Sequence, residues 1–526
     1  MNYNKHYSAK ETPQTQAIPG READMAKNNA GGVTFTVDMW KRLDRFLILG
    51  SEGGTYYVSE NKLSVDNSKN IITCIKEDGV RTVERIVEIS VQGRAPKNDT
   101  AIFALGLCCA YGDEKTKKAA HKAITQVCRI GTHLFQFLET VENHAKWGRG
   151  LRNGVSDFYT KPTVDKVMYQ LIKYRQRNGW THRDAMRLAH PSTKDKVRND
   201  IFRWTVGKPV ETLPEYIQNF EKLQNSTNDK EAVSLITQNR FPWEAVPTEL
   251  LNSVKVWEAL LETMPLNAMV RNLGKMTSMG LLKTGLDDSV KKVVDSLLDV
   301  NIVKKSRIHP MQLFMAYATY KSGHGFRGSL SWSPVQRILD ALMDAFYMSF
   351  DNVEPTNQNW LLSLDVSGSM CATLNNSHIS AREASAVMAM VTARTEQNHA
   401  FMAFSSGFIP LNISPKMSFE QVLKVVSGLR FDSTDCSLPM VYAIQNKIKV
   451  DTFVVYTDSE TYAGRVQPVQ ALNQYRKEFN PNAKLIVVGM TSNGFTIADP
   501  NDSGMLDVVG FDSSTPQIMA DFSRGF

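Results

Sequence analysis

The sequence predicts a mainly α protein joined to an α/β domain, and two observations carry that expectation. From about Thr34 to Phe350, apolar residues recur at helical spacing in segment after segment, with polar connections punctuated by Gly or Pro. From Asn359 onward, short apolar runs of strand length alternate with helical stretches, the βαβ rhythm of a doubly wound sheet. At 526 residues the chain exceeds one ordinary domain, so this change of texture marks a domain boundary.

Residues 1–33 are polar, with no apolar core segment, and are expected to form a flexible tail rather than a secretory signal. Helical patterns follow at 101–111, 114–137, 164–174, 253–263, 289–300 and 334–349, while 81–91 fits helix or strand. Short helices with little else suggest an α-solenoid of HEAT-like pairs over residues 34–355, although no strict repeat period is present. The polar stretch 351–359, which contains a proline, is the expected linker. Within 359–526 the expected strands are 361–366, 400–404, 452–456, 485–489 and 506–510, and the helices 380–397, 418–429 and 466–479.

Charge divides along the same boundary. Residues 1–350 hold 49 Lys and Arg against 37 Asp and Glu, whereas residues 351–526 hold 12 against 17. The excess is concentrated in residues 101–200, with 18 cations against 9 anions. A basic front part is the electrostatic footprint of a nucleic-acid binder, although a solvated positive surface would look the same on charge alone. No apolar run approaches the roughly 18 residues needed to span a bilayer. The six cysteines lack CxxC spacing and are expected to be buried reduced thiols of a cytoplasmic protein.

Two motifs carry chemistry. The apolar run from Trp360 ends in Asp365-Val366-Ser367-Gly368-Ser369, placing a carboxylate and two hydroxyls on one loop at the carboxyl end of a strand. Thr434, with Asp435 beside it, and Asp458, which ends another apolar run, complete an all-oxygen set suited to a hard divalent cation such as Mg²⁺. Aspartyl-phosphate chemistry is disfavoured, because Ser367 stands where a second carboxylate is wanted and no lysine accompanies Asp458. The second motif is the basic stretch 173–190. Lys173 and Arg177, four apart, are expected on one helix face stopped by Asn178-Gly179; Thr181 and Asp184 suggest a capping box, with His190 at the next helix's end. Lys173, Arg177, Arg187 and His190 would then face one region able to engage phosphates, unless the stretch is only a solvated cationic face with Trp180 in the core. No Ser-His-Asp order, HExxH or Walker A loop occurs, so no catalytic constellation is expected.

These residues resemble known families. The Asp-x-Ser-x-Ser loop with its two later partners is similar to the metal-ion-dependent adhesion site of von Willebrand factor A domains. FLILGSEGGTYY at 46–57, CRIGTHLF at 128–135, the stretch 173–190, RNLGKM at 271–276, IHP at 308–310, TYKSGHGFRG at 319–328, TDCSLPM at 434–440 and the run 483–505 resemble the Ro 60 kDa autoantigen and its bacterial orthologues. The resemblance runs from about Thr34 to the C-terminus. It implies a monomeric ring of HEAT-like repeats, the TROVE module, closed by a doubly wound von Willebrand A domain. It also implies binding of small noncoding Y RNAs on an outer surface and of single-stranded 3′ ends of misfolded RNAs in a central hole, in RNA quality control and stress survival. Carried onto matching positions, Lys173, Arg177 and His190 would contact Y RNA, and Asp365, Ser367, Ser369, Thr434 and Asp458 would hold the cation. His133, Arg149, Arg152, Arg271 and Lys275 would belong to the RNA-binding surfaces. An exoribonuclease tethered through a Y RNA, and a protein ligand at the metal site, are the further partners implied. An adhesion protein that grips such a ligand through its A domain alone is the competing reading.

Overall fold

In the computed structural model the described residues are 11–285, 287–325, 329–350, 353–373, 379–429 and 432–525. The first ten residues of the expected tail, positions 351–352 of the expected linker and Phe526 lie outside them. The chain divides into two compact units. One comprises Ile71–Gly93 and Lys97–Ser349; the other combines the chain up to Asn70, Arg94–Pro96 and everything from Phe350 onward.

The first unit is built of helices. Asp99–Tyr111 packs on Gly131–His144, and Glu114–Val127 packs on Arg149–Thr160. Glu114–Val127 shows why such a segment is helical: Asp113 caps it by accepting from the Thr116 N–H at 2.8 Å, and Thr116, Ala120, Ala123, Ile124 and Val127 share the buried face. The ambiguous segment 81–91 is helical, inside a Glu60–Gln92 helix kinked at Asp78. The single helix expected at 114–137 is two. Cys128 leaves helical geometry (φ −87°, ψ 81°), Ile130 is extended, and a new helix starts at Gly131. Gly131 lies hard against Tyr174 and His182, where a Cβ would come within 2.7 and 2.9 Å of them. The helix must break for the chain to turn into that contact.

In the other unit, a six-stranded sheet runs in the order Met505–Val509, Lys484–Gly489, Thr452–Thr457, Trp360–Asp365, His399–Phe404, Phe408–Pro410. The first five are parallel and are the five expected strands; Phe408–Pro410 is an antiparallel edge. Every residue of Trp360–Asp365 is buried, as expected of a parallel strand covered on both faces. The chain leaves this strand through the Ala381–Thr395 helix to its neighbour His399–Phe404, while Thr452–Thr457 lies on the other side. The carboxyl end of Trp360–Asp365 is thus the point where strand order reverses, the usual ligand crevice of such sheets.

Residues 11–33 correct the expectation of a flexible tail. Met25–Lys27 and Val33–Thr36 form a three-stranded antiparallel sheet with Phe495–Thr496. The side chain of Gln14 is wholly buried, and Met25 and Phe35 join the same apolar core as Leu361, Phe453 and Leu485. Gly32 approaches the Thr461 carbonyl so closely that any Cβ would collide with it. Composition misled here because the segment is held largely by amides and carboxylates rather than by an apolar stripe.

Candidate functional site

Four of the five predicted cation ligands, Asp365, Ser367, Ser369 and Asp458, meet at the switch point. Asp365 is fully buried; its Oδ1 accepts from the Ser367 N–H at 2.9 Å and its Oδ2 from the Thr457 hydroxyl at 2.6 Å. Ser367 Oγ and Ser369 Oγ lie 3.1 Å apart, and the Ser369 hydroxyl reaches the Asp458 carboxylate. Thr434 is buried on an adjacent loop whose carbonyl accepts from the Tyr462 and Ala463 N–H groups at 3.1 and 3.0 Å. Asp435 accepts at one oxygen from Gln14 Nε2 (2.8 Å), Ser437 N–H (2.9 Å) and Ser437 Oγ (2.6 Å). It is a loop brace in this arrangement.

Burial holds the Asp458 carboxyl well above the usual carboxylate range, and the neighbouring Asp365 and Glu460 charges add to it. Asp365 is raised for the same first reason, burial. Two desolvated carboxylates that repel each other across a cluster of hydroxyls are a poor arrangement by themselves and a good one around a cation. Among the described residues no group of three or more His, Cys, Asp or Glu converges, so any ion held here would lean on hydroxyls and keep residual positive charge. The residues therefore fit a hard divalent cation with few anionic ligands.

Sequence reading missed the supports of this site. Thr457 orients Asp365, and Arg382 Nη2 donates to the Val366 carbonyl at 2.8 Å and pins the loop between Asp365 and Ser369. Glu460 accepts from Asn29 N–H (2.7 Å), Asn29 Nδ2 (2.6 Å) and Ala30 N–H (3.1 Å), and Asn493 Nδ2 donates to the Asp458 carbonyl at 2.7 Å. The segment before residue 34 thus holds both later ligand loops.

In the helical unit the basic stretch departs from expectation. The Val164–Lys173 helix ends at Lys173, and Gln176–Arg177 pairs with Trp180–Thr181 as a two-stranded hairpin. Asn178 (φ 52°) and Gly179 (φ 77°) are its turn. Lys173 and Arg177 therefore do not share a helix face: two consecutive positive-φ residues match the right-handed twist of a hairpin, and that use of Asn-Gly prevailed over a helix stop. The Thr181–Asp184 capping box is present, and His190 caps the His182–Ala189 helix in the left-handed conformation. Arg177, Arg187 and His190 are exposed. Trp180 is buried.

A second set is drawn together. Lys173 Nζ donates to Tyr169 Oη at 3.1 Å and lies 5.4 and 5.5 Å from the Tyr169 and Tyr174 ring centroids. Burial works against its charge, but Tyr174, Glu244 and Tyr169 outweigh it and hold the ammonium above its ordinary pKa. Arg271 is electrostatically coupled to Tyr174, Glu244 and His133, and Arg129 to His133 and Arg307. His133 is pushed down to about 4, first by burial and then by Arg129, so at neutral pH it offers a ring and a hydrogen bond but no charge. Lys275 follows Arg271 by one turn on Leu266–Ser278. Arg149 and Arg152 are exposed in the first turn of a different helix, beside a groove of about 620 Å³ lined by Lys117, Lys118, His121 and Lys122 together with Asp113, Glu114 and Asp157. Arg129 and Arg307, neither singled out from sequence, belong to this cationic neighbourhood.

The pairing of arginines differs between the units. In the sheet-bearing unit Arg21, Arg45, Arg94 and Arg476 are paired with Asp499, Asp507, Asp512 and Asp502 at 2.5–2.7 Å. In the helical unit Arg85 pairs with Glu88 and Arg198 with Asp195, each three residues away, and Lys161 pairs with Asp157 and Lys292 with Glu262. Among the described residues none of Arg129, Lys173, Arg177, Arg187 and Arg271 is in an ion pair.

Comparison with known proteins matches the two parts of the chain separately, with residues 26–70 of the sheet-bearing unit falling inside the first match. A family model described as the TROVE domain matches residues 26–241 and 238–318, and one described as the Ro60 vWA domain matches 359–523. A Deinococcus radiodurans protein named RNA-binding protein RO60 is 38% identical over 520 residues, covering 98% of this chain and 97% of its own. A Caenorhabditis elegans protein of the same name is 35% identical, over 95% of this chain and 90% of its own. The crystal structure of the Deinococcus radiodurans RO (RSR) protein superposes with a TM-score of 0.71 at 37% identity, covering 93% of this chain and 100% of that one. Matched in both parts, and across nearly its full length by relatives more than a third identical, the chain belongs to the Ro60 family of TROVE-domain proteins.

Proposed function

We propose that this protein is a non-catalytic RNA-binding scaffold of RNA quality control. The observation that carries the reading is the excess of cations in the helical unit: among the described residues Arg129, Arg177 and Arg187 are in no ion pair, and Lys173 and Arg271 share the one carboxylate of Glu244. Phosphates are the counterions such a surface lacks, and the two relatives named as RNA-binding proteins support RNA as their source. In this reading Lys173, Arg177, Arg187 and His190 hold a structured Y RNA. The neighbourhood of His133, Arg271 and Lys275, with Arg149 and Arg152, takes single-stranded 3′ ends. An exoribonuclease would be recruited through the Y RNA rather than by the protein directly. At the sheet's switch point Asp365, Ser367, Ser369, Thr434 and Asp458 would hold Mg²⁺, which when bound supplies a coordination position for an acidic group of a protein ligand.

Sequencing the nucleic acid that co-purifies at low salt, followed by gel shifts with a hairpin RNA and a single-stranded tail, tests this. Retention of both, with affinity falling steeply between 50 and 200 mM salt, is expected of several phosphate contacts. Protein that emerges free of RNA and ignores both probes at low salt refutes it.

A further inference from the structure

Beside the Lys173 ammonium the helical unit has a cleft of about 440 Å³, within the size range of small-ligand sites. Tyr169, Lys173, Arg240, Trp243, Glu244 and Glu262 line it, Glu262 being paired with Lys292 at 2.5 Å. Trp243 stacks on Trp257 with centroids 6.5 Å apart and planes at 23°, which fixes the orientation of its ring. Glu244 Oε2 is out of solvent and has no hydrogen-bond partner among the described residues. A carboxylate oxygen desolvated without a donor is a costly arrangement that a ligand N–H would relieve once a turn of the carboxylate brings that oxygen to the cleft. An occupant suited to this cleft is flat, carries N–H donors along one edge, and bears negative charge within reach of Lys173 and Arg240.

Among the RNA bases, guanine alone presents two adjacent donors, N1–H and the exocyclic N2–H. Uracil flanks its N3–H with two carbonyls. Adenine and cytosine set a ring-nitrogen acceptor beside each amine, which would face a carboxylate oxygen. We propose that this cleft is a base pocket for an unpaired guanine of RNA, with Glu244 accepting from its Watson–Crick edge, Trp243 and Tyr169 as walls, and Lys173 with Arg240 meeting its phosphate. The proposal rests on the RNA-binding reading above and adds a base preference to it.

Fluorescence anisotropy with the full-length protein tests it, using uridine-rich single strands of equal length that carry one central guanosine, inosine or adenosine. The guanosine strand should bind about tenfold tighter than the adenosine strand, with inosine, which lacks the exocyclic amine, in between. Glu244→Ala, which removes the acceptor, should bring the guanosine and inosine strands to one affinity while both still bind. If the unaltered protein binds all three strands equally, the pocket is refuted and RNA binding stands. A guanosine preference that survives in Glu244→Ala also refutes it, by placing the discrimination elsewhere. Failure of all three strands to bind at low salt removes the RNA-binding reading itself. The strand series needs no altered protein, so a misfolded variant leaves the test intact.

Discussion

Replacing Gln14 by alanine should destabilise the sheet-bearing unit by about 3 kcal/mol. Its Nε2 donates to Asp435 Oδ1 at 2.8 Å and to the Val466 carbonyl at 3.0 Å; its Oε1 accepts from the Gly464 N–H at 3.2 Å and from the Thr461 hydroxyl. After truncation Asp435 keeps both bonds from Ser437, and Thr461 keeps the Thr434 carbonyl. The Gly464 N–H and the Val466 carbonyl lose these partners at a site closed to water. Each orphaned backbone group costs about 1–2 kcal/mol, and the emptied volume adds to that. For a unit of this size, about 3 kcal/mol corresponds to a fall in Tm of roughly 6–12 °C, readable by differential scanning fluorimetry. Gln14→Glu should do worse than alanine, because it sets a second buried carboxylate against Asp435. A dangling tail would leave both variants within about 0.5 kcal/mol of the parent, and that outcome would show residues 11–33 to be dispensable.

Other expectations follow from the two candidate sites and from a buried histidine. Lys173→Ala combined with Arg177→Ala should weaken binding of a Y-type hairpin RNA by about tenfold or more at moderate salt; an unshifted gel-retardation curve would remove this stretch from the RNA surface. Mg²⁺ at a hundred times its dissociation constant should stabilise the parent by about 2.7 kcal/mol. Asp458→Asn should abolish that response, yet be at least as heat-stable as the parent in EDTA, since it relieves repulsion with Asp365; a variant that melts lower in EDTA contradicts the reasoning. His182 is held by Tyr159 Oη at 2.9 Å from Nδ1 and the Gln170 carbonyl at 3.2 Å from Nε2, and burial pushes its pKa down to about 4. The unfolded chain, titrating near 6.5, takes up a proton that the folded state refuses, so its contribution to stability is complete above about pH 6.5 and falls as pH drops toward 4. The loss is about 1.4 kcal/mol per pH unit, or roughly 3 kcal/mol in all. Urea titrations at pH 7.5 and 4.5 should show a smaller difference in His182→Gln than in the parent; an unchanged difference assigns the acid sensitivity elsewhere.

Legibility followed the physics of each segment. The five parallel strands could be read because strands in the middle of a covered sheet are mostly apolar over strand length, as in Leu361, Leu362 and Leu364. Asp365 and Asp458 were legible for the same reason, since each ends or directly follows such a run. The break at Cys128–Ile130 was not, because Ala123, Ile124 and Val127 on one helix and Leu134 and Leu138 on the next keep helical spacing across the gap. Asn178-Gly179 supports two conformations equally well from sequence, and only pairing with Trp180–Thr181 selects the hairpin. Gln14, Asn29 and Asn493 reach the cation site from far along the chain, and no local pattern distinguishes them from solvated amides. Glu244 was equally hidden: its significance lies in a bond it does not make.

One arrangement bears on how the molecule comes into being on the ribosome. Val33–Thr36 finds its partner in Phe495–Thr496, so some 460 residues must be synthesised before that pairing is available. At ~5–20 residues per second the early strand waits roughly half a minute to a minute and a half, while the intervening helices can already condense. An open strand edge bearing Val33 and Phe35 is exposed to premature association throughout that interval, which makes it a natural client for chaperones that shield nascent chains.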